Sequence, residues 1–417
     1  MTPEELNTII PVLEAPVYQK LSEALFEIFQ LSRQTDRNPA QILDIQIGLS
    51  HYIRELEGKK SEFKRQGDHI RATIARRLAL LAKQIADSIA WRLFEFDRTV
   101  VQRLSEHPQT GHLDQTVLAD LDCARRIVEN EDAIVLVNDL TTTLRYGDLT
   151  IFSGDQYSFK ETKYGKASKR SKRSKRQRKQ LAEIMSFLTT GIRFEGDSRT
   201  LIFNSNIQAD AYHNKLDEII RTAKNRGYAQ DYLSECLAVQ IIYTRHSGVA
   251  VPTWKPFSNT EFVWSISNLD NFTSPTPRVV PYANFPLSER DCFDLLIGNL
   301  IIIATLNFEC LKGKYSEFGL NFNFPQPSDD ELNAILTAPI ATRKKLMAKH
   351  GFTVDDGKTL FTVLAEYFAR ITLEFLTENT LIEGDRELIT LMGRENLQIP
   401  SRTILYTGYK HEKEIWK

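Results

Sequence analysis

Cysteine is scarce in this chain: among 417 residues there are four, Cys123, Cys236, Cys292 and Cys310, far apart and with no CxxC pair. Such spacing suits neither a zinc knot nor a disulfide frame, so reduced, mostly buried thiols of a cytoplasmic protein are expected. Long apolar runs are lacking as well. The longest, Leu295 to Leu306 (LLIGNLIIIATL), contains Gly298 and Asn299 and falls short of the ~20 residues a membrane-spanning helix needs. It reads as a buried helix. The first residues, MTPEELNTII, show no basic start followed by an apolar core, so no secretory signal is expected. No GxxxxGK[ST] loop exists to support ATP hydrolysis, and no zinc finger, base-reading recognition helix or RNA-binding aromatic motif is recognisable. His107 and His112 bracket the run HPQTGH without Cys or acid partners at ligand spacing, so they do not point to a metal.

The hydrophobic fraction of 42% and charged fraction of 26% are those of an ordinary folded protein. A chain of this length exceeds the size at which single cores stop growing, which predicts two or three structural units. Net charge is −1, yet between Lys163 and Lys179 stand ten Lys or Arg and no acid, leaving an excess of 11 acidic charges elsewhere. A positive field placed in one segment suits a polyanionic partner.

Three regions follow from patterning: a helical part over 1–112, an α/β core over 113–250 and an α+β part over 251–417. In the first, Ile74, Leu78, Leu81, Ile85, Ile89, Leu93, Phe96, Val100 and Leu104 step by three or four, which predicts a single amphipathic helix of about eight turns. The second reads as a helix near 114–130, a strand AIVLV over 133–137, a strand pair within GDLTIFSGDQYSFKETK over 147–163, a helix around Leu181–Leu188, a strand TLIFN over 200–204, a helix over 212–226 stopped by Gly227, a helix near 232–237 and a strand over 238–244. Helix, three strands, helix, strand is an α/β order with the basic helix as crossover. The third contains the apolar helix near 291–311, helices near 329–336, 340–350 and 358–378, and a closing strand in SRTILYTGYK.

Chemistry concentrates in the strand pair. Gly154-Asp155 between two β-type runs is a two-residue hairpin signal with glycine first. If Ser153 faces Gln156, then Asp148 lies across from Glu161, and Lys163 projects to the same face. Opposed carboxylates repel, and a divalent cation such as Mg²⁺ or Mn²⁺ removes that penalty while retaining places for water and a phosphate oxygen. The metal then activates water, and the lysine orients it or stabilises charge on the phosphorus. This arrangement asks for phosphodiester hydrolysis. The triplet acid-x-Lys occurs at Glu57, Glu62, Glu161 and Asp356, but only Glu161 is expected on a strand with an acid registered opposite. Tyr157 and Phe159 read as sheet packing.

The run GDLTIFSGDQYSFKETK, followed by a basic, glutamine-bearing helix, resembles the PD-(D/E)xK, or restriction-endonuclease-like, nuclease superfamily over roughly 114–244. The resemblance implies a mixed-sheet core, Asp148 as first acid and metal ligand, Glu161 as second acid and metal ligand, and Lys163 as the lysine. Gly147 stands where a proline often precedes the first acid. A glutamine on the helix after the lysine strand is implied as well: Gln177, which extends the stripe of Leu181, Ile184 and Leu188, with Gln180 as rival. An acid from the helix before the first strand would be Glu129 or Glu131.

Lys166, Lys169, Arg170, Lys172, Arg173, Lys175, Arg176 and Arg178 would then flank the scissile phosphate and neutralise its neighbours without reading bases, which predicts salt-sensitive, largely sequence-independent binding. By resemblance the substrate is DNA, in restriction or defence against foreign DNA, with a homodimer or an activating protein as partner. The alternative is a non-catalytic nucleic-acid-binding protein that keeps the fold.

Overall fold

The computed structural model describes residues 16–105, 113, 116–144, 146–154, 156–162, 179, 182–186, 192–195, 198–245, 254, 256–257, 261–266, 282–323, 352–363, 369–394, 403–410 and 412–416. Its first part is helical: α1 (Pro16–Gln34), α2 (Pro39–Arg65), α3 (His69–Leu93) and α4 (Arg98–Leu104). Asn38 and Asp68 start α2 and α3 by accepting from the backbone N–H three residues on, at 3.1 and 2.9 Å, the expected cap geometry. The single long helix expected over Ile74–Leu104 is broken. Glu95 and Phe96 adopt left-handed φ angles of 52° and 60°, conformations that cost roughly 1–3 kcal/mol each for side-chain-bearing residues. Asp97 then restarts the chain as α4, its Oδ1 accepting from the Thr99 and Val100 N–H groups at 3.0 and 3.2 Å. The apolar spacing runs through the break unchanged, which is why periodicity alone reads it as continuous.

Next come α5 (Thr116–Glu131), β1 (Ile134–Val137), β2 (Leu149–Ser153) and β3 (Gln156–Lys160), forming a three-stranded antiparallel sheet in that order. The hairpin turns at Gly154, φ 61°, and its register, Ser153 opposite Gln156 through Leu149 opposite Lys160, matches the spacing read from sequence. Tyr157 does pack in the sheet, its ring 5.0 Å from Phe94 and 5.9 Å from Phe159. The strand containing TLIFN does not join this sheet. It forms β5 (Ser198–Gln208), antiparallel to β4 (Ile192–Glu195) and parallel to the last strand, β13 (Thr403–Lys410).

Helix α6 (His213–Arg226) ends at Gly227, φ 85°. Strands β6 (Tyr228–Tyr232), β7 (Leu237–Tyr243), β8 (Glu261–Ile266) and β9 (Leu300–Asn307) build an antiparallel sheet in the order 6-7-9-8. Two sequence expectations fail here. The helix near 232–237 is the β6–β7 turn, and the apolar helix near 291–311 is α7 (Glu289–Ile297), stopped by left-handed Gly298, then β9, then α8 (Phe308–Glu317). A short strand buried on both faces is uniformly apolar, so its pattern cannot be told from a buried helix.

β10 (Asn321–Asn323), β11 (Phe352–Asp355) and β12 (Leu360–Val363) form a further small sheet, followed by α9 (Ala369–Leu373) and α10 (Glu378–Arg394). Strand β12 and short α9 replace the helix expected over 358–378, whereas the helices expected near 329–336 and 340–350, like His107 and His112, lie outside the described residues. The fold is thus mixed α/β, with buried side chains from Tyr18 to Trp416 in one continuous apolar cluster. Among the described residues no helix is long and apolar enough to cross a membrane.

Two of the four cysteines are not thiols: Cys236 and Cys310 form a disulfide closing a separation of 74 residues. Antiparallel pairing of Leu237 with Leu306 carries Cys236, just before β7, to Cys310, just after β9, a juxtaposition no linear spacing displays. Cys292 is a buried thiol pushed up to about 12, chiefly by burial. A non-reduced proteolytic digest is expected to yield the linked Cys236 and Cys310 peptides by mass spectrometry, and recovery of both as free thiols from unreduced protein would contradict the fold.

His213 packs against Phe285 and Trp416, with ring centroids 5.0 and 5.7 Å away, and its Nε2 lies 2.9 Å from the Glu374 carbonyl oxygen. Burial pulls its pKa from the usual 6.5 down to about 4. The unfolded chain therefore takes up a proton near pH 6.5 that the folded one refuses, so stability is full above about 6.5 and falls by about 3 kcal/mol as pH drops toward 4. Urea unfolding at several pH values should show that decline, and His213→Phe should remove this part of it.

Candidate active site

Buried polar side chains position the start of β2 before any acid is considered. Gln46 of α2 covers the outer edge of β1: its Nε2 donates to the Val135 carbonyl at 2.8 Å and its Oε1 accepts from the Val137 N–H at 2.7 Å. Asp87 of α3, itself buried, accepts from both the N–H and the hydroxyl of Thr142 and of Thr143, with the two N–H contacts at 2.7 and 3.0 Å. Asn138 closes the loop. Its Nδ2 donates to the Tyr146 and Gly147 carbonyls at 2.8 and 3.1 Å, its Oδ1 accepts from the Thr150 hydroxyl at 2.8 Å, and its N–H donates to the Asp148 carbonyl at 2.9 Å. Unpaired, groups this deep would each cost about 1–3 kcal/mol, so the loop has little freedom to shift.

Gly147 then makes the turn into β2. Its φ is 74°, and a Cβ there would meet the Lys160 carbonyl oxygen at 3.1 Å. Glycine is required on both counts, which explains why no proline precedes Asp148. The Asp148 N–H donates to the Lys160 carbonyl at 2.9 Å, although Leu149 is already the registered partner of Lys160. Two residues thus address one, a β-bulge. Asp148 consequently does not sit across from Glu161 as simple counting requires; the ladder stops at Lys160, and half-buried Glu161 lies just beyond it.

Instead, the carboxylate of Asp148 is held by Thr162. The Thr162 N–H donates to Oδ2 of Asp148 at 2.6 Å, and the Thr162 hydroxyl lies 2.8 Å from the same oxygen. That hydroxyl also contacts Oδ1 of Asp120. Asp120 is on α5, 2% exposed, within the inward stripe Val117, Asp120, Leu121, Ala124 and Ile127. Two acids from different elements therefore meet on one hydroxyl.

The helix acid at this site is thus Asp120, which the sequence reading missed. Glu129 and Glu131 are exposed and nine or more residues farther along α5, about 14 Å at 1.5 Å per residue. An acid three residues after Val117 and next to Leu121, inside an apolar stripe, is the signal that could have revealed it. Lys163, Gln177, Gln180 and the basic residues Lys166, Lys169, Arg170, Lys172, Arg173, Lys175, Arg176 and Arg178 lie outside the described residues. Among the described residues, no three His, Cys, Asp or Glu side chains are gathered as a metal cage; the acids that meet are the pair on Thr162.

The loop anchors make a stability prediction. Asn138→Ala, which leaves several buried backbone groups without their donor or acceptor, is expected to lower unfolding free energy by about 2–4 kcal/mol. Gly147→Ala should cost about 1–3 kcal/mol through the left-handed backbone and the Lys160 contact. Both are read from urea denaturation midpoints, and unchanged midpoints would contradict the loop geometry. No protein-family model matches the chain, and comparison with curated proteins and with solved structures yields no match.

Proposed function

We propose that this protein is a metal-dependent nuclease of the restriction-endonuclease-like kind, hydrolysing phosphodiester bonds, those of DNA foremost. The observation that carries the reading is the meeting of Asp120 and Asp148 on the hydroxyl of Thr162, the residue between Glu161 and Lys163. Thr162 aims two donors at one oxygen of Asp148 and so fixes the rotation of that carboxylate. An all-oxygen acid pair, Asp120 buried and Asp148 half-buried, matches the donor preference of Mg²⁺ or Mn²⁺. When bound, such an ion supplies an activated water and polarises the phosphoryl oxygen.

In this reading Asp148 and Glu161 hold the ion, Asp120 backs Asp148 through the Thr162 hydroxyl, Lys163 orients the attacking water or stabilises charge on the phosphorus, and Gln177 is directed toward the site. The basic residues from Lys166 to Arg178 neutralise phosphates on either side of the scissile bond. Three strands following an acid-bearing helix is the order expected of the superfamily core. Restriction or defence against foreign DNA is the proposed context, with a homodimer or an activating protein as partner.

A second reading, a non-catalytic nucleic-acid-binding protein, is favoured by one observation: no three metal-ligating side chains are gathered among the described residues. Cleavage assays separate the two. Wild type incubated with circular DNA, linear DNA and single-stranded RNA in Mg²⁺ or Mn²⁺ is expected to cut, and chelator to abolish cutting. Asp120→Asn, Asp148→Asn and Lys163→Ala should each lower the rate by about 100-fold or more, the scale of removing one group that stabilises a transition state. Mn²⁺ should also raise the unfolding temperature of wild type, as ligands of the folded state do, and not of Asp148→Asn. DNA held equally well in chelator, with no cleavage and no metal-induced stabilisation, would establish the non-catalytic reading.

A further inference from the structure

At the tip of the β2–β3 hairpin, the far end of the five-residue β2 from Asp148 and so about 17 Å away along the strand, a cavity of about 700 Å³ opens. It lies between the hairpin, the α3–α4 break and the ends of β5 and β13. That volume is in the range of small-molecule sites, which are typically about 300–1,000 Å³. One wall is aromatic: Phe94 meets Phe152 and Tyr157 edge-on, each with centroids 5.0 Å apart. At the rim, Arg37 and Lys413 both address the carboxylate of Glu95, at 3.3 and 3.0 Å. All three side chains are substantially exposed, between 41% and 55%, so this ion cluster can open without disturbing the core.

Three features together point to a ligand. Arg37 and Lys413 converge on one carboxylate, one cation on each oxygen of Glu95, which marks an anion position at the rim. Glu95 reaches them from a left-handed backbone position, the type of conformation that clusters at ligand sites. Asp97, exposed and next to the buried Arg98, presents a carboxylate to the cavity near Tyr157, whose hydroxyl pKa is pushed up by burial and then by Asp97. A molecule with an anionic group outward, a flat ring inward and hydrogen-bond donors on that ring complements each part.

We propose that this cavity binds a nucleoside monophosphate carrying an amino-substituted base, the phosphate on Arg37 and Lys413 in place of Glu95 and the base against Phe94 and Tyr157. Glu95 acts as a built-in competitor that occupies the anion position. The site is separate from the acid pair on Thr162, and its existence does not depend on the nuclease reading.

Isothermal titration of the full chain with AMP tests the assignment, with adenosine and inorganic phosphate as separate ligands. AMP is expected to bind, and either fragment to bind about tenfold more weakly or worse, because each keeps only one half of the recognition. Lys413→Gln should weaken AMP about tenfold by removing a charge-assisted contact, whereas Glu95→Gln should tighten it by removing the competitor. Asp148→Asn should leave AMP affinity unchanged, which distinguishes this cavity from product binding at the acid pair. The proposal is overturned if AMP fails to bind at millimolar concentration to wild type and Glu95→Gln alike, if Glu95→Gln weakens binding, or if Asp148→Asn abolishes it.

Discussion

A buried carboxylate between two guanidinium groups ties the helical part of this chain to the rest. Glu374, 1% exposed, pairs with Arg98 at the start of α4 and with Arg370 of α9, whose Nε lies 3.4 Å away. Each arginine also covers a ring, Arg98 over Trp91 at 5.9 Å and Arg370 over Tyr409 at 4.7 Å. Burying three charges is expensive, and a well-packed apolar triad is often no less stable. What the ionic version adds is geometric demand: Arg98 follows the left-handed Glu95–Phe96 turn after α3, and Glu374 stands in the turn after α9. His213 rests on the Glu374 carbonyl and Trp416 on His213, so α6 and the C-terminal end dock on the same point.

The candidate acid site rests on the same kind of support at a different place. Gln46, Asp87 and Asn138 are polar residues in largely apolar surroundings, and each satisfies backbone groups that a regular sheet would have left open. Together they hold the loop that delivers Gly147 and Asp148 to the end of the β2–β3 ladder. The bulge at Asp148 then turns its carboxylate toward Thr162 and Asp120. The surrounding anchors leave neither Asp120 nor Asp148 a cheap way to move. That convergence of Asp120 and Asp148 on the Thr162 hydroxyl is the physical basis for the proposed reading of the pair.

The acid site and the cavity at the hairpin tip occupy opposite ends of the same two strands. One end carries the two acids and is pinned by buried polar side chains; the other is aromatic and rimmed by exposed cations. A short antiparallel hairpin can hold two such different environments because its ends are bordered by different neighbours, α5 and the β1–β2 loop at one, the α3–α4 break and β13 at the other.

The sequence by itself determined elements whose signals are local: the stop at Gly227, the Gly154 turn and the hairpin register that follows from it by counting. It singled out Asp148 by counting back from that turn to a position opposite Glu161, an opposition that the bulge then shifted. The tertiary structure alone decided what depends on neighbours distant in sequence. Asp120 became the helix acid because of the face α5 packs with, β5 found its partner in β13 about two hundred residues away, and Cys236 met Cys310 through strand pairing. The bulge at Asp148 depends on the close approach of Gly147 to Lys160, and the break at Glu95 depends on where Arg98 finds its charge. Periodicity records which residues avoid water, and it is blind to which partner lets them do so.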